Sequence, residues 1–361
     1  MSNSMASQLG FGFDDPIEGA PAAAPKRRKT KSTLPPAPLA TPMLDLGVFA
    51  PASPVPAGVA SQDAEGMARQ LEQHPDYRVL RRLVPVQAFA HQALGPVARL
   101  LILDTETTGL DHGRDKIIEL ALLRVDVDTA TGLPTGAVTV YDGLQDPGLS
   151  IPKEAREITG ITDEMVKGQQ LDEARIAAML EGIDLVVAHN AGFDRPFVEA
   201  RLPQFANVNW ACSFADIDWK SEGRGSAKLS YLANELGWFY DAHRAEVDCH
   251  ALLTVLMAEL PGLGQSGLAR LLASTQTPSY RLQATGAPFD AKDLLKTRGY
   301  RWDATGKFWH TRLGSDEALQ AECAWLKEAV YAGRAVRLQW ERHDAKSRYS
   351  SRAGTIGWAQ L

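Results

Sequence analysis

The chain has 361 residues, is 45% hydrophobic and 23% charged, and carries a formal net charge of -6. These figures suit two or three folded domains and exclude a collagenous, wholly disordered or disulfide-rich chain; no run nears the roughly 18–20 apolar residues of a membrane span. The three cysteines, Cys212, Cys249 and Cys323, lie far apart and form neither a disulfide framework nor a thiolate zinc site, and Met1 opens no basic-then-apolar leader, so a cytoplasmic location is expected. Charge is uneven. Residues 1–90 hold nine Lys/Arg against eight Asp/Glu, 91–279 hold 15 against 27, and 280–361 hold 14 against nine. An acidic middle suits a solvated surface or ligands for hard cations, and a basic end suits a phosphate-binding or partner face.

In chain order, residues 1–61 read as a disordered Pro/Ala-rich tail. Ten of the 21 prolines lie in the first sixty residues, and such a segment cannot bury enough apolar area to offset its ordering entropy. The basic run Lys26-Arg27-Arg28-Lys29-Thr30-Lys31 reads as a solvated charge cluster, with a nuclear address or a loose DNA contact as the alternative. Gln8-Leu9-Gly10-Phe11-Gly12-Phe13 is an apolar island that resembles the short peptides by which bacterial replication and repair proteins dock on the sliding clamp. Residues 62–97 read as a helical lead-in, with Met67, Leu71, Tyr77, Leu80, Leu83 and Val84 patterning a helix over 62–84.

Residues 98–260 read as one α/β domain. Strands are expected at 98–103, 117–127 and 137–144 as a meander, then at 184–188 and 208–211. Helices are expected at 154–167, 171–182, 192–202, 226–237 and 244–260. That order makes a mixed five-stranded sheet flanked by helices. Residues 261–279, richer in Gly, Ser, Thr and Pro, read as a linker. Residues 280–345 read as a small α+β domain with strands at 280–284 and 335–341, a hairpin about Asp303-Ala-Thr-Gly306, and helices at 291–298 and 316–331. Residues 346–361 read as a flexible tail.

The strongest chemical signal is Leu103-Asp104-Thr105-Glu106-Thr107-Thr108-Gly109-Leu110. Period two puts the Asp104 and Glu106 carboxylates on one face at the end of a strand, where open α/β sheets bind ligands. Two carboxylates there repel unless a cation or a proton lies between them, and Mg²⁺ suits oxygen ligands. Alone, the pair would read as a helix cap and a surface acid. Asp194, just past the strand at 184–188, would alone read as a first-turn acid. His243 and Asp248 stand five residues apart, more than one turn, so they share a face only if His243 lies on the loop before the helix.

Together the order acid-x-acid, acid, His-x4-acid resembles that of the DEDD exonuclease superfamily, in its subgroup with a histidine in the third motif (DEDDh). The chain resembles the proofreading epsilon subunits of bacterial DNA polymerase III over residues 98–260. Ile117-Ile-Glu-Leu120, Ile158-Thr-Gly-Ile-Thr-Asp163 and His189-Asn-Ala-Gly-Phe-Asp194 add to the likeness. Cys212-Ser213 and the run Asp216-Ile-Asp-Trp219 depart from it. The resemblance implies a ribonuclease H-like fold and a 3′→5′ exonuclease that hydrolyses phosphodiester bonds with two Mg²⁺ or Mn²⁺ ions about 3.5–4 Å apart. It implies that Asp104 bridges both ions, Glu106 and Asp248 bind the one that activates water, and Asp194 supports the second. His243 would be the general base. Thr107 and Leu110 would touch the terminal nucleotide, with Asn190 and Phe193 as further substrate contacts.

In the C-terminal section, Arg298, Tyr300, Arg301, Trp302, Lys307, Trp309, His310 and Arg312 interleave cations with rings, which suits a single strand. The competing reading buries the rings in a small core over which the Arg stems lie. The expected substrate is the 3′ end of single-stranded DNA, releasing nucleoside 5′-monophosphates in DNA repair or proofreading. The alternative is an exoribonuclease trimming RNA. An alternative of another class is a non-catalytic adaptor joining nucleic acid to a clamp or polymerase. A sliding clamp and a DNA polymerase are the expected protein partners, with no membrane.

Overall fold

The computed structural model describes residues 61–361, with side chains from Ala64 onward; the peptide Gln8–Phe13 and the basic run Lys26–Lys31 lie outside the described residues. Helix α1, Ser61–Glu72, opens this part. The helix expected over 62–84 stops there, because Pro75 offers no amide hydrogen and forces the residue before it out of helical geometry. The rest of the lead-in is extended: Arg81–Arg82 pairs with Trp238–Phe239, and β1, Ala88–Phe89, joins the main sheet.

The main sheet comprises β1, β2 (Val97–Thr107), β3 (Ile117–Asp128), β4 (Pro134–Leu144), β5 (Leu185–Ala188) and β6 (Trp210–Cys212). Its order is β1-β4-β3-β2-β5-β6. The β4-β3-β2 meander is antiparallel, and β5 and β6 add in parallel. This is the expected mixed sheet, extended by the two-residue β1 from the lead-in, and the fold is ribonuclease H-like. The flanking helices are α2 (Lys153–Thr159), α3 (Glu173–Leu180), α4 (Ala191–Arg201), α5 (Leu229–Glu235), α6 (Ala245–Met257) and α7 (Gly267–Ser274). The helix expected over 154–167 is broken after Thr159, where Gly160 takes φ 70° and closes the turn on Arg156.

Alternation along β2 decides which face each residue serves. Leu100 and Ile102 join the cluster built with Cys249, Leu252, Leu253 and Leu256 of α6. Leu101 and Leu103 join the opposite cluster, with Ile176 of α3 and Phe197 and Val198 of α4. Burying each such side chain is worth about 1.5–3 kcal/mol. Among the described residues no helix is long and apolar enough to cross a membrane.

Two further expectations fail. The stretch 261–279 is not a free linker. It contains α7, whose Leu268 and Leu271 are fully buried in the core below α6. Gly267 belongs to that packing, since a Cβ there would meet Leu256 Cδ2 at 2.8 Å and its Cα at 3.1 Å. The stretch 346–361 is not a loose tail either. Arg348 and Tyr349 are buried, and Thr355–Gln360 forms a strand.

That strand, β11, completes a second, five-stranded antiparallel sheet with β7 (Ser279–Ala284), β8 (Arg301–Asp303), β9 (Phe308–Leu313) and β10 (Arg337–His343), in the order β8-β9-β7-β10-β11. Helices α8 (Lys292–Thr297) and α9 (Asp316–Trp325) cover one side. Leu295, Leu319 and Leu326 pack there on Leu282, Ala284 and Leu338. Both readings of the aromatic cluster find a place. Tyr300 is buried in this core, with its hydroxyl on Glu322 at 3.1 Å, whereas Trp302 is 51% exposed.

Candidate active site

Asp104 and Glu106 lie on the Leu100–Ile102 face of β2, the face that α6 covers. Asp248, in the first turn of α6, meets them there. One carboxylate oxygen from each of Asp104, Glu106 and Asp248 lies within 4.8 Å of the others. Asp194 approaches from the other side of the sheet, on α4. Thr105, between the two strand acids and facing the opposite way, donates its hydroxyl to Asp194 Oδ1 at 2.7 Å. All four acids and His243 line one cavity of about 380 Å³ at the end of the sheet, together with Leu110, Asn190 and Phe193. Thr107 does not line it. Its buried side chain donates to the Gly109 carbonyl at 2.6 Å and shapes the turn behind. A Cβ at Gly109 would fall 2.5 Å from the Asp115 carboxylate, so only glycine lets this turn close and bring Leu110 over the cavity.

Burial raises all four carboxyl groups. Asp104 and Glu106 are held well above the usual carboxylate range by desolvation and then by the charges of their neighbours. Asp248 is also raised, chiefly by burial, and Asp194 is pushed up to about 7 by burial. Four acids in this state either keep protons or take a cation. The donor set is all oxygen, clustered, and open to the cavity at the partly exposed Asp104 and Asp248, so it fits a hard divalent ion.

His243 does lie on the loop before α6, as its spacing from Asp248 requires. Its φ is 69°, in the left-handed region, and its backbone amide donates to Asp248 Oδ2 at 2.8 Å. That bond fixes the loop against the acid while leaving the exposed imidazole free to face the cavity. Tyr240 donates its hydroxyl to Asp248 Oδ1 at 3.1 Å, so both oxygens of Asp248 are positioned.

Sequence reasoning missed Tyr240, and it also missed Glu119. Glu119, on β3, pairs with Glu106 on β2 and is fully buried. Its carboxylate accepts from Arg244 Nη2 at 2.6 Å and from the Ala245 amide at 2.8 Å, which pins the start of α6. The signal was an acid inside the apolar run Ile117–Val125. His189 has a structural role. Its ring bonds Ser213 Oγ at 2.7 Å and the Ala227 carbonyl at 2.8 Å, and burial lowers its pKa to about 4. It holds the segment that presents Lys228 to the cavity.

The Exonuclease family matches residues 101–256. The chain is similar, at 30% identity over 171 residues, to DNA polymerase III subunit epsilon of Treponema pallidum, covering 43% of this chain and 74% of that protein. It is similar, at 31% identity over 180 residues, to the PolC-type DNA polymerase III of Thermotoga petrophila, covering 48% of this chain and 13% of that protein. The chain therefore spans only a small part of that longer relative. A solved structure of exonuclease X in complex with 5′-overhanging duplex DNA aligns at 24% identity and a TM-score of 0.33, covering 47% of this chain and 99% of that one.

Proposed function

This chain belongs to the DEDD 3′–5′ exonuclease superfamily, and we propose that it removes nucleotides one at a time from the 3′ end of single-stranded DNA in repair or proofreading. The observation that carries this reading is the convergence of Asp104, Glu106 and Asp248 within 4.8 Å in the cavity that His243 and Asp194 also line. Asp104, Glu106 and Asp248, with Asp194 beside them, would hold Mg²⁺ or Mn²⁺. Bound there, the metal supplies a charge clamp on the scissile phosphate and lowers the pKa of the attacking water. His243 takes the proton from that water at a ring nitrogen. Water oxygen bonds to phosphorus, the bond to the 3′ oxygen of the preceding nucleotide breaks, and a nucleoside 5′-monophosphate leaves. Leu110 and Phe193 supply apolar surface for the terminal base, and Asn190 a polar contact. Tyr240 and Glu119 act as positioning residues for Asp248 and the start of α6.

The test is digestion of 5′-labelled single-stranded DNA and the matching RNA with Mg²⁺, with Mn²⁺ and with chelator, alongside Asp104→Ala. A metal-dependent ladder shortening from the 3′ end of DNA, absent in a folded Asp104→Ala protein, is expected. Faster shortening of RNA would make the enzyme an exoribonuclease. No cleavage of either strand would favour an adaptor role.

A further inference from the structure

The second sheet leaves one face without helices, and register shows which residues lie on it. Arg281 stands beside both Arg312 and Glu341, and Gln283 beside His310, which in turn stands beside Arg301. Toward the other edge, Gln339 stands beside Trp358 and Arg337 beside Gln360. This face is the opposite of the Leu282–Ala284–Leu338 side that α8 and α9 cover.

Cations and rings alternate across it. Arg337 lies over the Trp358 ring at 4.2 Å, and Trp358 is 50% exposed. Arg281 lies over Phe308 at 5.6 Å. Arg312 lies over Tyr349 at 5.2 Å and makes no ion pair among the described residues. Glu341 and Asp303 are the acids of this face, and Asp303 is already paired with Arg281 at 3.0 Å.

At one end the segment 348–353 folds over this face and encloses a groove of about 370 Å³. Four buried side-chain nitrogens of the described residues lack a hydrogen-bond partner. Three of them, His310 Nδ1, His343 Nδ1 and Arg348 Nε, belong to residues that line this groove. Buried nitrogens normally find partners, and at the groove itself Arg312, free of any ion pair among the described residues, supplies the cation for an anionic occupant. The groove wall is also fixed to the active-site helix. Arg195 and Glu199 of α4 hold it, through bonds to the Arg348 carbonyl at 2.6 Å and to Ser350 Oγ at 2.6 Å, while Phe193 and Asp194 of the same helix line the catalytic cavity.

We propose that the helix-free face of the second sheet and its groove form a second binding surface for single-stranded nucleic acid. It would grip phosphates and stack bases of the strand whose 3′ end occupies the catalytic cavity. This inference rests on the exonuclease reading. Phosphates meet Arg312 at the groove, and bases meet Trp358.

The experiment is steady-state kinetics of the full chain with Mn²⁺ on two substrates. One is a single strand of about thirty nucleotides, and the other is the chromogenic ester thymidine 5′-(p-nitrophenyl phosphate), which is too short to leave the catalytic cavity. Arg312→Glu should raise KM for the long strand about tenfold, as one lost charge-assisted phosphate contact does, and lower its salt dependence, with ester hydrolysis unchanged. Trp358→Ala should raise the same KM without changing the salt dependence. Unchanged KM for the long strand in both variants, with wild-type melting, overturns the proposal. Equal losses on strand and ester would make the residues structural and overturn it too. Failure of the wild type to hydrolyse either substrate would strike the exonuclease reading instead.

Discussion

Asp194→Asn should make the metal-free protein more stable while removing its catalysis. The wild-type side chain is 4% exposed, and burial pushes its pKa from the ordinary 3.8 to about 7. At ~1.4 kcal/mol for each pH decade, ionising it in the folded, metal-free chain costs about 4 kcal/mol. The sign follows from proton counting. Folded wild type keeps a proton on Asp194 that the unfolded chain releases above about pH 4, so stability falls as pH rises from about 4 to 7. Asparagine cannot ionise, and its amide oxygen still accepts the 2.7 Å bond from Thr105. In chelator at pH 8 the variant should melt about 5–10 °C above wild type, at roughly 2 °C per kcal/mol for a chain of this size. At pH 5, about one decade above the unfolded pKa, the difference should shrink to roughly 2 kcal/mol, or about 3–4 °C. Added Mg²⁺ or Mn²⁺ at pH 8 should raise the wild-type midpoint and narrow the gap. The measurement is thermal unfolding followed by circular dichroism at both pH values, with chelator and with metal. Equal midpoints for variant and wild type at pH 8 in chelator would refute the reasoning, as would the same gain at both pH values.

Two further outcomes follow from the same geometry. His243→Ala should depress kcat far more than it raises KM for a single strand, because the imidazole faces the cavity while the backbone amide, not the ring, holds Asp248; an equal loss in binding would make the side chain structural. Arg348→Met should destabilise the chain by about 3–5 kcal/mol, the usual consequence of removing one partner from a buried charge pair. Arg348 holds Asp216 at 3.3 Å and the carbonyls of Ser274 and Thr277 at 2.7 and 2.8 Å, so the variant should be cut early by protease near residues 274–279 while wild type resists.

The clustered acids proposed as catalytic were legible because the proposed chemistry restricts both residue type and spacing. A strand must carry Asp104 and Glu106 two apart to aim both at one point, and a loop must hold His243 to bring it level with Asp248. The supporting residues were harder to see. Tyr240 and Glu119 act through hydrogen bonds to the α6 entry, and nothing in their local sequence announces a partner more than a hundred residues away, as Glu119 has in Arg244. Two segments were misread because glycine serves two purposes. Gly267 looks like linker composition, yet it allows α7 to approach the backbone of α6. Gly357 weakens the strand signal of Thr355–Gln360, yet a Cβ there would lie 2.1 Å from the Trp340 ring, so the strand can pair only without one.

The stretch from Cys212 to Asp216 is where the C-terminal module meets the catalytic domain. Asp216 accepts from the Cys212 amide at 2.8 Å, from the Tyr349 hydroxyl at 2.6 Å and from Arg348 at 3.3 Å. Ala345 receives the Trp210 amide at 2.7 Å, so the C-terminal segment also caps the edge strand β6. An edge left bare would offer its unpaired amides to other chains. Asp216 therefore ties the C-terminal module to the main sheet away from the cluster of Asp104, Glu106 and Asp248. Of the holding points, Asp216 follows β6, away from the clustered acids, whereas Arg195 stands on α4 next to Asp194. A substitution at Asp216 should thus loosen the second sheet and its groove while leaving Asp104, Glu106 and Asp248 converged, so KM for the long strand should rise while ester hydrolysis holds.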